Sequence, residues 1–305
     1  MRYVAFRLLQ SAGILLGVAA VTFALLFLVP ADPARQIAGR SATREAVESV
    51  RHELGLDRPL YAQFGTYLAH LAEGDLGRSY VQRTDVTTLV LSRLPATLWL
   101  LLGAVVAELA IGLPAGIVAA VRRGSAVDRS VMVLSFVGVS IPQFVLAIIL
   151  LYVFAARLGW FPIGGYGGLQ HLVLPALTLG ILGGGWYGRM MRSSMVEVLS
   201  QDYVRTARAK GAGERRVVLV HALRNAILPI LAMVGIDIGT FLSGAVVVES
   251  VYGWPGIGQL TWQAIQQIDI PVIMAVTLLA AVGIVLANLL VDLIAPWVDP
   301  RIRLR

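Results

Sequence analysis

The sequence predicts an all-α integral membrane protein with six transmembrane helices and a small extracytoplasmic helical insertion after the first helix. Three observations support this fold class. Of the 305 residues, 57% are hydrophobic and 14% are charged, whereas soluble domains are about 45–50% apolar even when glycine is included. Six apolar runs are long enough for a helix that crosses the bilayer core, which takes about 20 residues. Arginine is concentrated in the connections on one side of the predicted membrane.

The first span is predicted over residues 8–29, after Arg2 and Arg7. At about 1.5 Å per residue, a helix of this length extends roughly 33 Å. The apolar region of a cleaved signal peptide is shorter, about 7–15 residues. We therefore predict an uncleaved anchor, within a unit of residues 1–30, whose N-terminus is cytoplasmic.

Residues 31–94 form the predicted outer insertion. The segment carries eight basic and eight acidic residues, and long segments cross membranes largely regardless of charge. Helices are predicted over 43–54, after the capping residue Asp57, and over 86–94. The segment is interpreted either as a platform at the outer surface or as an amphipathic cap packed on the helix ends.

Three spans with different compositions follow the insertion. The second is predicted over 96–121. The third is predicted over 131–156 and contains Pro142, which frees a backbone carbonyl and favours a kink. The fourth is predicted over 171–188 and is rich in glycine, which permits close contact between helices.

The fifth span is predicted over 229–248 and has a face of small residues. Gly235, Gly239 and Ser243 follow one another at intervals of four, which places them on one side of a helix. This spacing is typical of a helix that packs closely against another helix.

The remainder of the chain contains an interfacial element, a sixth span and a tail. Residues 249–260 contain no basic residue and are predicted to form an outer re-entrant or interfacial segment. The sixth span is predicted over 271–294. Residues 297–305 form a basic tail, which we place in the cytoplasm.

The charges of the short connections predict the orientation. Arg122, Arg123 and Arg129 lie on the same predicted side as residues 189–224 and both termini, whereas the short loops of the opposite side contain only Arg157. Positive charge favours the cytoplasmic side. We therefore predict a multi-pass protein of a cell membrane with both termini in the cytoplasm.

The polar segment 189–225 interrupts the apolar sequence and carries eight basic residues against three acidic ones. Its pattern predicts a short helix over 203–209, a turn at Gly211 and Gly213, and a second helix over 214–225. A solvated loop that obeys the positive-inside rule explains the arginines but not this layout. A nucleic-acid partner is not expected, because the segment is joined to the membrane at both ends.

This segment resembles the cytoplasmic EAA loop of ABC-importer permease subunits of the dipeptide, oligopeptide and nickel branch. Arg205, Thr206 and Ala207 occupy the positions of Glu-Ala-Ala, six residues before Gly211, and only Ala207 matches. Further strings in the family's order extend the resemblance over nearly the whole chain. They lie at residues 54–60, 74–79, 246–249, 254–258, 269–271 and 299–301.

The resemblance implies a type I ABC importer permease fold, with a core at 95–296 and a cytoplasmic coupling loop at 189–228. It implies a second homologous permease subunit, two ATPase subunits and an extracytoplasmic substrate-binding protein as partners, in contact with membrane lipid. The short helix of the loop then transmits ATPase closure. The residues assigned to this coupling are Tyr203, Arg205, Thr206, Ala207, Arg208, Lys210 and Gly211.

No catalytic residue, cofactor or metal site is expected in this chain. It contains no Gly-Lys pair and therefore no phosphate-binding loop, so ATP and Mg²⁺ are assigned to the partner ATPases. The chain has no cysteine, which excludes thiolate ligands and nucleophiles. His52, His70 and His171 have spacings that match no metal-ligand motif.

Glu108, Gln143 and Asp237 are the candidates for the translocation path. A carboxylate inside a span costs at least about 2.5 kcal/mol, so it faces a cavity, a partner helix or water. Asp237 is interpreted either as a contact for a cationic or amino-terminal group of the substrate or as a hydrogen-bonded interhelical contact. Glu249, near a span end, is given a structural role.

Gly235, Gly239 and Ser243 are the candidates for the interface with the second permease. In this hypothesis the partner covers the glycine-rich faces of the fourth and fifth spans.

The sequence thus predicts one permease subunit of an ATP-driven importer for dipeptides, oligopeptides or related solutes. An ion-coupled secondary transporter without ATPase partners is the alternative, and it normally needs embedded titratable pairs and an internal repeat. An intramembrane enzyme is a third possibility, for which no set of nucleophile, base and metal ligands is visible. The solute stays open.

Overall fold

Helices are the regular elements of the part of the chain that the computed structural model describes, which comprises residues 2–28, 33–39, 42–53, 55–242 and 244–298. Within these ranges, an antiparallel bridge joins Arg78 to Asp85. In chain order the helices are α1 (Arg2–Leu28), α2 (Pro33–Ala38), α3 (Arg44–Glu53), α4 (Leu60–Ala72), α5 (Val86–Val121), α6 (Ala126–Ser140), α7 (Gln143–Leu150) with a π-helical continuation (Leu151–Arg157), α8 (Leu169–Leu199), α9 (Asp202–Ala209), α10 (Glu214–Arg216) with a π-helical continuation (Val217–Ala222), α11 (Leu223–Ala226), α12 (Leu228–Leu242), α13 (Val246–Tyr252), α14 (Ile257–Gln267) and α15 (Ile270–Val298).

Each of the six predicted spans has a helical counterpart. Within the described residues, three helical stretches are each long and apolar enough to cross a membrane: α5, α8 and the Ile270–Leu289 part of α15. The number of candidate spans rises to as many as five if each of two bent helix pairs, α6 with α7 and α10–α11 with α12, counts as one span. The 27-residue helix α1 contains a shorter apolar stretch, Leu9–Ala24. The all-α membrane fold class is therefore confirmed.

Helix α5 differs from the prediction, because it continues through Pro95 where we expected the outer insertion to end. Proline removes one backbone hydrogen bond of a helix, but its fixed φ is compatible with helical backbone. Tertiary contacts hold α5 on both sides of this position. Val90 belongs to an apolar cluster with Ile257 and Leu260, and Ala96 belongs to a second one that contains Trp254.

The third predicted span is broken rather than kinked at Pro142. Helices α6 and α7 meet there at an angle of 100°. Ile141, the residue before the proline, has an extended backbone with ψ of 125°, as expected from the steric clash between a proline ring and a preceding helical residue. Helix α5 continues through Pro95, so this local preference does not by itself decide which proline breaks a helix.

The fourth span is longer than predicted, since α8 runs to Leu199 instead of residue 188. Arg189 and Arg192 therefore lie on a membrane helix rather than in a loop. The Arg189 guanidinium lies 4.2 Å from the ring centre of Trp186 and 4.7 Å from that of Phe136. Such cation–π contacts favour a charged group that is partly removed from water.

Helices α5 and α8 form the centre of the fold and run in parallel. A Cβ atom at Gly112 would lie 2.9 Å from the Gly184 carbonyl oxygen, and one at Gly116 would lie 3.0 Å from the Arg192 backbone nitrogen. The two backbones therefore touch, as in membrane helix pairs with small residues at intervals of four. The parallel packing also places the C-terminal ends of α5 and α8 together, at what we call the basic end of the bundle.

The glycines of α8 face neighbouring helices of the same chain, which corrects the hypothesis that a second permease covers them. Gly180 lies against Ala107 of α5, and Gly185 lies against the Ser135 backbone of α6. A buried glycine face of this kind satisfies the packing needs of the chain itself.

The fifth span ends at Leu242 rather than at residue 248, and the segment after it folds into α13 and α14. The buried Glu249 carboxylate connects this region to α5. It accepts hydrogen bonds from the Thr97 hydroxyl at 3.0 Å and from the Gln259 backbone N–H at 2.9 Å. The predicted structural role of Glu249 is therefore confirmed, and the carboxylate stabilises the N-terminus of α14.

The outer insertion is joined to the start of α15 by a second buried carboxylate. Asp269 accepts hydrogen bonds from the Ser79 hydroxyl and, at 3.1 Å, from the Tyr80 backbone N–H. Burial and the nearby carboxylate together raise the pKa of the Tyr80 phenol to about 12, so the phenol stays protonated over the physiological range. The insertion is thus packed on the helix ends, as one of its two interpretations expects.

Candidate functional site

Helix α9, the predicted coupling helix, is a short amphipathic helix at the basic end. Val204 is completely buried, whereas Tyr203 and Arg205 are exposed. The helix packs on the π-helical stretch Val217–Ala222. One side of α9 is therefore anchored to the bundle and the other faces away from it. The remaining exposed coupling candidates are Thr206, Arg208, Lys210 and Gly211, and Ala207 is half-buried.

Two polar contacts fix the position of α9. The Tyr203 hydroxyl accepts a hydrogen bond of 2.6 Å from the Asn225 side-chain amide of α11. The Arg208 guanidinium donates two hydrogen bonds, of 2.6 and 3.0 Å, to the Glu214 carboxylate at the start of α10. Such two-point arginine–carboxylate pairs add geometric precision. Helix α9 is thereby joined to the elements that lead into α12.

Of the two glycines predicted in the turn after α9, one uses a conformation that favours glycine. Gly211 has a φ of +81°, which is sterically costly for other residues. Gly213 has a φ of −61° and a ψ of 146°, which other residues adopt freely. The turn is therefore specified by Gly211.

The second helix of the loop differs from the predicted regular helix over 214–225. A π-helical stretch at Val217–Ala222 widens its turn, since π-helices bond residue i to i+5 rather than i+4. Val217 and Ala222, five residues apart, are both buried, whereas Val220 is 55% exposed. The buried face is therefore not the one that a 3.6-residue period predicts.

A group of three polar side chains lies inside the bundle, contributed by α5, α8 and α12. The Tyr187 hydroxyl donates a short hydrogen bond to Asp237. The Glu108 and Asp237 carboxyl groups are close enough to interact electrostatically. We call Glu108, Tyr187 and Asp237 the acid cluster. It brings together two of the three predicted path residues.

The members of the acid cluster differ in burial. Glu108 is 2% exposed, and its Oε2 atom has no hydrogen-bond partner among the described residues. Its Oε1 lies directly over Gly183, where a Cβ atom would clash with it. Asp237 is half-buried, next to the exposed Ile236 and Thr240 on α12. The cluster therefore extends from the packed interior to an open face of α12.

Gln143, the third path candidate, is exposed at the first position of α7, directly after the Pro142 break. The structure does not bring it into the acid cluster, whose members come from α5, α8 and α12. Its role stays a prediction.

The predicted interface glycines also pack within the chain. Gly239 is buried, and a Cβ atom there would lie 3.0 Å from Ile284 of α15. This corrects its assignment to the interface with a second permease, because α15 already occupies the position. Gly235 is buried as well, and Ser243 lies outside the described residues.

Sequence reasoning did not identify Tyr187 or the ion pair between Asp128 and Arg192. The Arg192 guanidinium donates hydrogen bonds of 2.5 and 2.7 Å to the nearly buried Asp128 carboxylate. The pair joins the start of α6 to α8 at the basic end. In the sequence, Asp128 is an aspartate among arginines next to a span. The positive-inside rule counts the arginines and gives no reason to single out this aspartate.

We expect Asp128→Asn to destabilise the folded chain, because it leaves the partly buried Arg192 without its counter-charge. Arg192→Gln alone is expected to have a similar effect. The double variant should be less destabilised than the sum of the two single variants. Thermal unfolding of the purified importer measures this cycle, and additive effects would show that the pair contributes little.

The fold and these sites define a class of protein. A basic amphipathic helix between two spans is the arrangement that the resemblance to ABC-importer permeases predicts. The fold is that of type I ABC importer permeases. Two solved structures of the MetNI methionine ABC transporter in inward facing conformations, in SeMet soak and native crystal forms, contain a similar chain. Their TM-scores are 0.60 and 0.58, with 21% identity over 69% of this chain and 96% of the other.

The chain belongs to the family of binding-protein-dependent transport system inner membrane components. The family model matches residues 112–304, and the model for the N-terminal region of these components matches residues 1–101. Similar curated proteins are named glutathione transport system permease protein GsiC. Those of Escherichia coli O6:H1 and Salmonella typhimurium are 44% identical, and that of Escherichia coli K12 is 43% identical, over 99% of both chains.

This membership confirms the resemblance to ABC-importer permeases of the peptide and nickel branch. The chain is an ABC importer permease, a multi-pass protein of the inner membrane, and such a subunit implies ATPase and substrate-binding partners. The family assignment favours the ATP-driven importer over the ion-coupled secondary transporter.

Proposed function

We propose that this chain is a non-catalytic permease subunit that forms half of the translocation path of an ATP-driven importer for glutathione or other short peptides. The second half comes from a homologous permease, ATP and Mg²⁺ are bound by two ATPase subunits, and an extracytoplasmic protein delivers the substrate. The relatives named for glutathione transport support the solute class.

The observation that carries this proposal is the construction of α9. Val204 anchors the helix, Arg208 and Glu214 fix its end, and the side facing away from the bundle presents Arg205 and Lys210 to solvent. A surface helix that is rigidly connected to the next span transmits a push from outside the chain to that span. In our proposal the basic end is cytoplasmic, both termini lie there, and an ATPase subunit contacts the exposed side of α9.

The absence of cysteine from the sequence allows a direct test. Thr206→Cys, on exposed α9, is expected to crosslink to an ATPase subunit in the assembled importer and to react with a thiol reagent only from the cytoplasmic side. Gln267→Cys, exposed on α14 at the opposite end, is the matched control. It should react only from outside and form no ATPase crosslink. The reverse pattern of labelling, or crosslinks from Gln267→Cys alone, would exclude the proposal.

The acid cluster provides the proposed substrate contact. Asp237 lies at the edge of the open face of α12 and carries the charge that favours a protonated amino group. Tyr187 orients its carboxylate through the hydrogen bond from the phenol. Glu108 lies behind it, in the packed interior of the bundle. A peptide with a free amino-terminus fits this arrangement better than one whose amino group is blocked.

We expect Asp237→Asn to reduce uptake of a short peptide with a free amino group by about tenfold, which corresponds to the lower part of the range for a charge-assisted hydrogen bond. Uptake of the N-acetylated peptide should be unchanged by the substitution. Tyr187→Phe, which keeps the charge, should reduce the first uptake less. If Asp237→Asn affects both peptides equally, or neither, Asp237 is an interhelical contact and not a substrate contact.

A further inference from the structure

One side of α8 is exposed between the contacts that this helix makes with α6 and with α12. Towards α6, the Gly185 backbone lies against Ser135. Towards α12, the Tyr187 hydroxyl donates its hydrogen bond to Asp237. Successive residues of an α-helix are about 100° apart, so Trp186 lies midway between these two contacts, and it is 55% exposed. We call this side of α8 the open strip. Its exposed residues are Trp186, Met190 and Ser193.

Arg189 lies at the α6 edge of the open strip. Its guanidinium is 4.7 Å from the ring centre of Phe136 on α6 and 4.2 Å from that of Trp186. Within the described residues, no carboxylate forms an ion pair with it, and its buried Nη2 atom has no hydrogen-bond partner. The Asp128 carboxylate at this end of the bundle is already paired with Arg192. The two rings therefore hold in place a guanidinium that has no anionic partner in this chain.

The open strip has opposite charges at its two edges. Arg189 lies at the α6 edge and Asp237 at the α12 edge, and the exposed Trp186 is between them. An α-helix with its side chains is about 10–12 Å across, which gives the scale of the separation between the two charged groups. Three residues of extended chain span at most about 10–11 Å. A short peptide that lies across Trp186 therefore has the length to reach both edges.

We propose that Arg189 binds the terminal carboxylate of the transported peptide, at the same time as Asp237 binds its amino group. This inference rests on the proposed function, because it takes Asp237 as the contact for the amino group. A guanidinium offers a carboxylate two parallel hydrogen bonds, and stacking on the Phe136 and Trp186 rings limits the orientations that it adopts. The open strip thus selects a zwitterionic peptide of about three residues.

The test is uptake by the complete importer in proteoliposomes, with a tripeptide whose two ends are free and with its C-terminal amide. We expect Arg189→Gln to reduce uptake of the free tripeptide about tenfold, the effect of losing a charge-assisted hydrogen bond. Uptake of the amide should be unchanged. Each result is the ratio of variant to wild type for one peptide, so that the preference of the binding protein cancels.

Two further variants serve as controls. Arg189→Lys keeps the charge and should recover part of the lost uptake of the free tripeptide. Arg129→Gln removes a charge from the exposed surface of α6, and it should leave uptake of both peptides at the wild-type level.

Equal reduction of both peptides by Arg189→Gln, or reduction of neither, would overturn the assignment. Loss of the second permease from the purified Arg189→Gln complex would also overturn it, since the guanidinium would then bind a carboxylate of that subunit. The proposed function fails separately. If Asp237→Asn reduces uptake of the free peptide and Arg189→Gln does not, the assignment of Arg189 is wrong and the proposed amino-group contact stands.

Discussion

Gly112→Leu is expected to remove most of the folded permease from the membrane. The substitution introduces a four-carbon side chain at the point where the backbones of α5 and α8 touch. A first Cβ atom would already clash with the Tyr187 Cβ and lie 2.9 Å from the Gly184 oxygen and 3.0 Å from the Gly188 nitrogen. Backbone atoms on the facing helix cannot rotate away as the end of a side chain can. The helices must separate.

The separation affects more than one contact, because α5 and α8 contribute Glu108 and Tyr187 to the acid cluster and α8 also carries Arg192 of the pair with Asp128. Overpacking of a core costs about 1–3 kcal/mol where side chains can adjust, and we expect a cost at or above the upper limit here. The measurement is the melting temperature of the purified importer, together with the amount of chain in the membrane fraction.

Gly17→Leu is the matched control for this prediction. Gly17 lies in the apolar helix α1, and a Cβ atom placed there would have open space within 4 Å, apart from its own helix, among the described residues. The same chemical change at this position should leave the melting temperature within about 1 °C of wild type, since surface changes contribute little. Equal stability of Gly112→Leu and Gly17→Leu would refute the close packing of α5 on α8.

Gly211→Val is expected to uncouple ATP hydrolysis from uptake. Gly211 has a φ of +81°, which costs an L-residue about 1–2 kcal/mol and is a true outlier for a β-branched side chain. This strain corresponds to about a tenfold shift in the population of the turn, and we expect uptake per ATP hydrolysed to fall by a similar factor. Transport and ATPase rates measured in the same proteoliposomes give this ratio.

Gly213→Val, two residues later, isolates the cause. At either glycine, an added Cβ atom would meet none of the described residues within 4 Å, so packing resists neither substitution. They differ in backbone conformation, because Gly213 has a φ of −61°. Gly213→Val should therefore keep a coupling ratio close to that of wild type. If the two variants behave alike, the left-handed turn after α9 is not required for coupling.

The acid cluster shows how far the candidate site was predictable. Glu108 and Asp237 were identified separately, because a carboxylate inside an apolar run stands out in any sequence. Tyr187 was not identified, since a tyrosine in a span is common and its partner is fifty residues away. The same limit applies to Asp128 and Arg192, whose pairing depends on how α6 packs against α8.

The amino-acid sequence by itself determined the membrane class, the approximate positions of the spans, the short helix α9 and its glycine turn. These properties depend on composition, on the period of apolar residues and on the backbone preferences of single residues, which act over a few positions. Only the tertiary structure decided that the helix continues through Pro95 but breaks at Pro142, and that the glycines of α8 face this chain's own helices. The physical reason is that a proline or a glycine permits more than one local outcome, and the packing of distant elements against it selects among them.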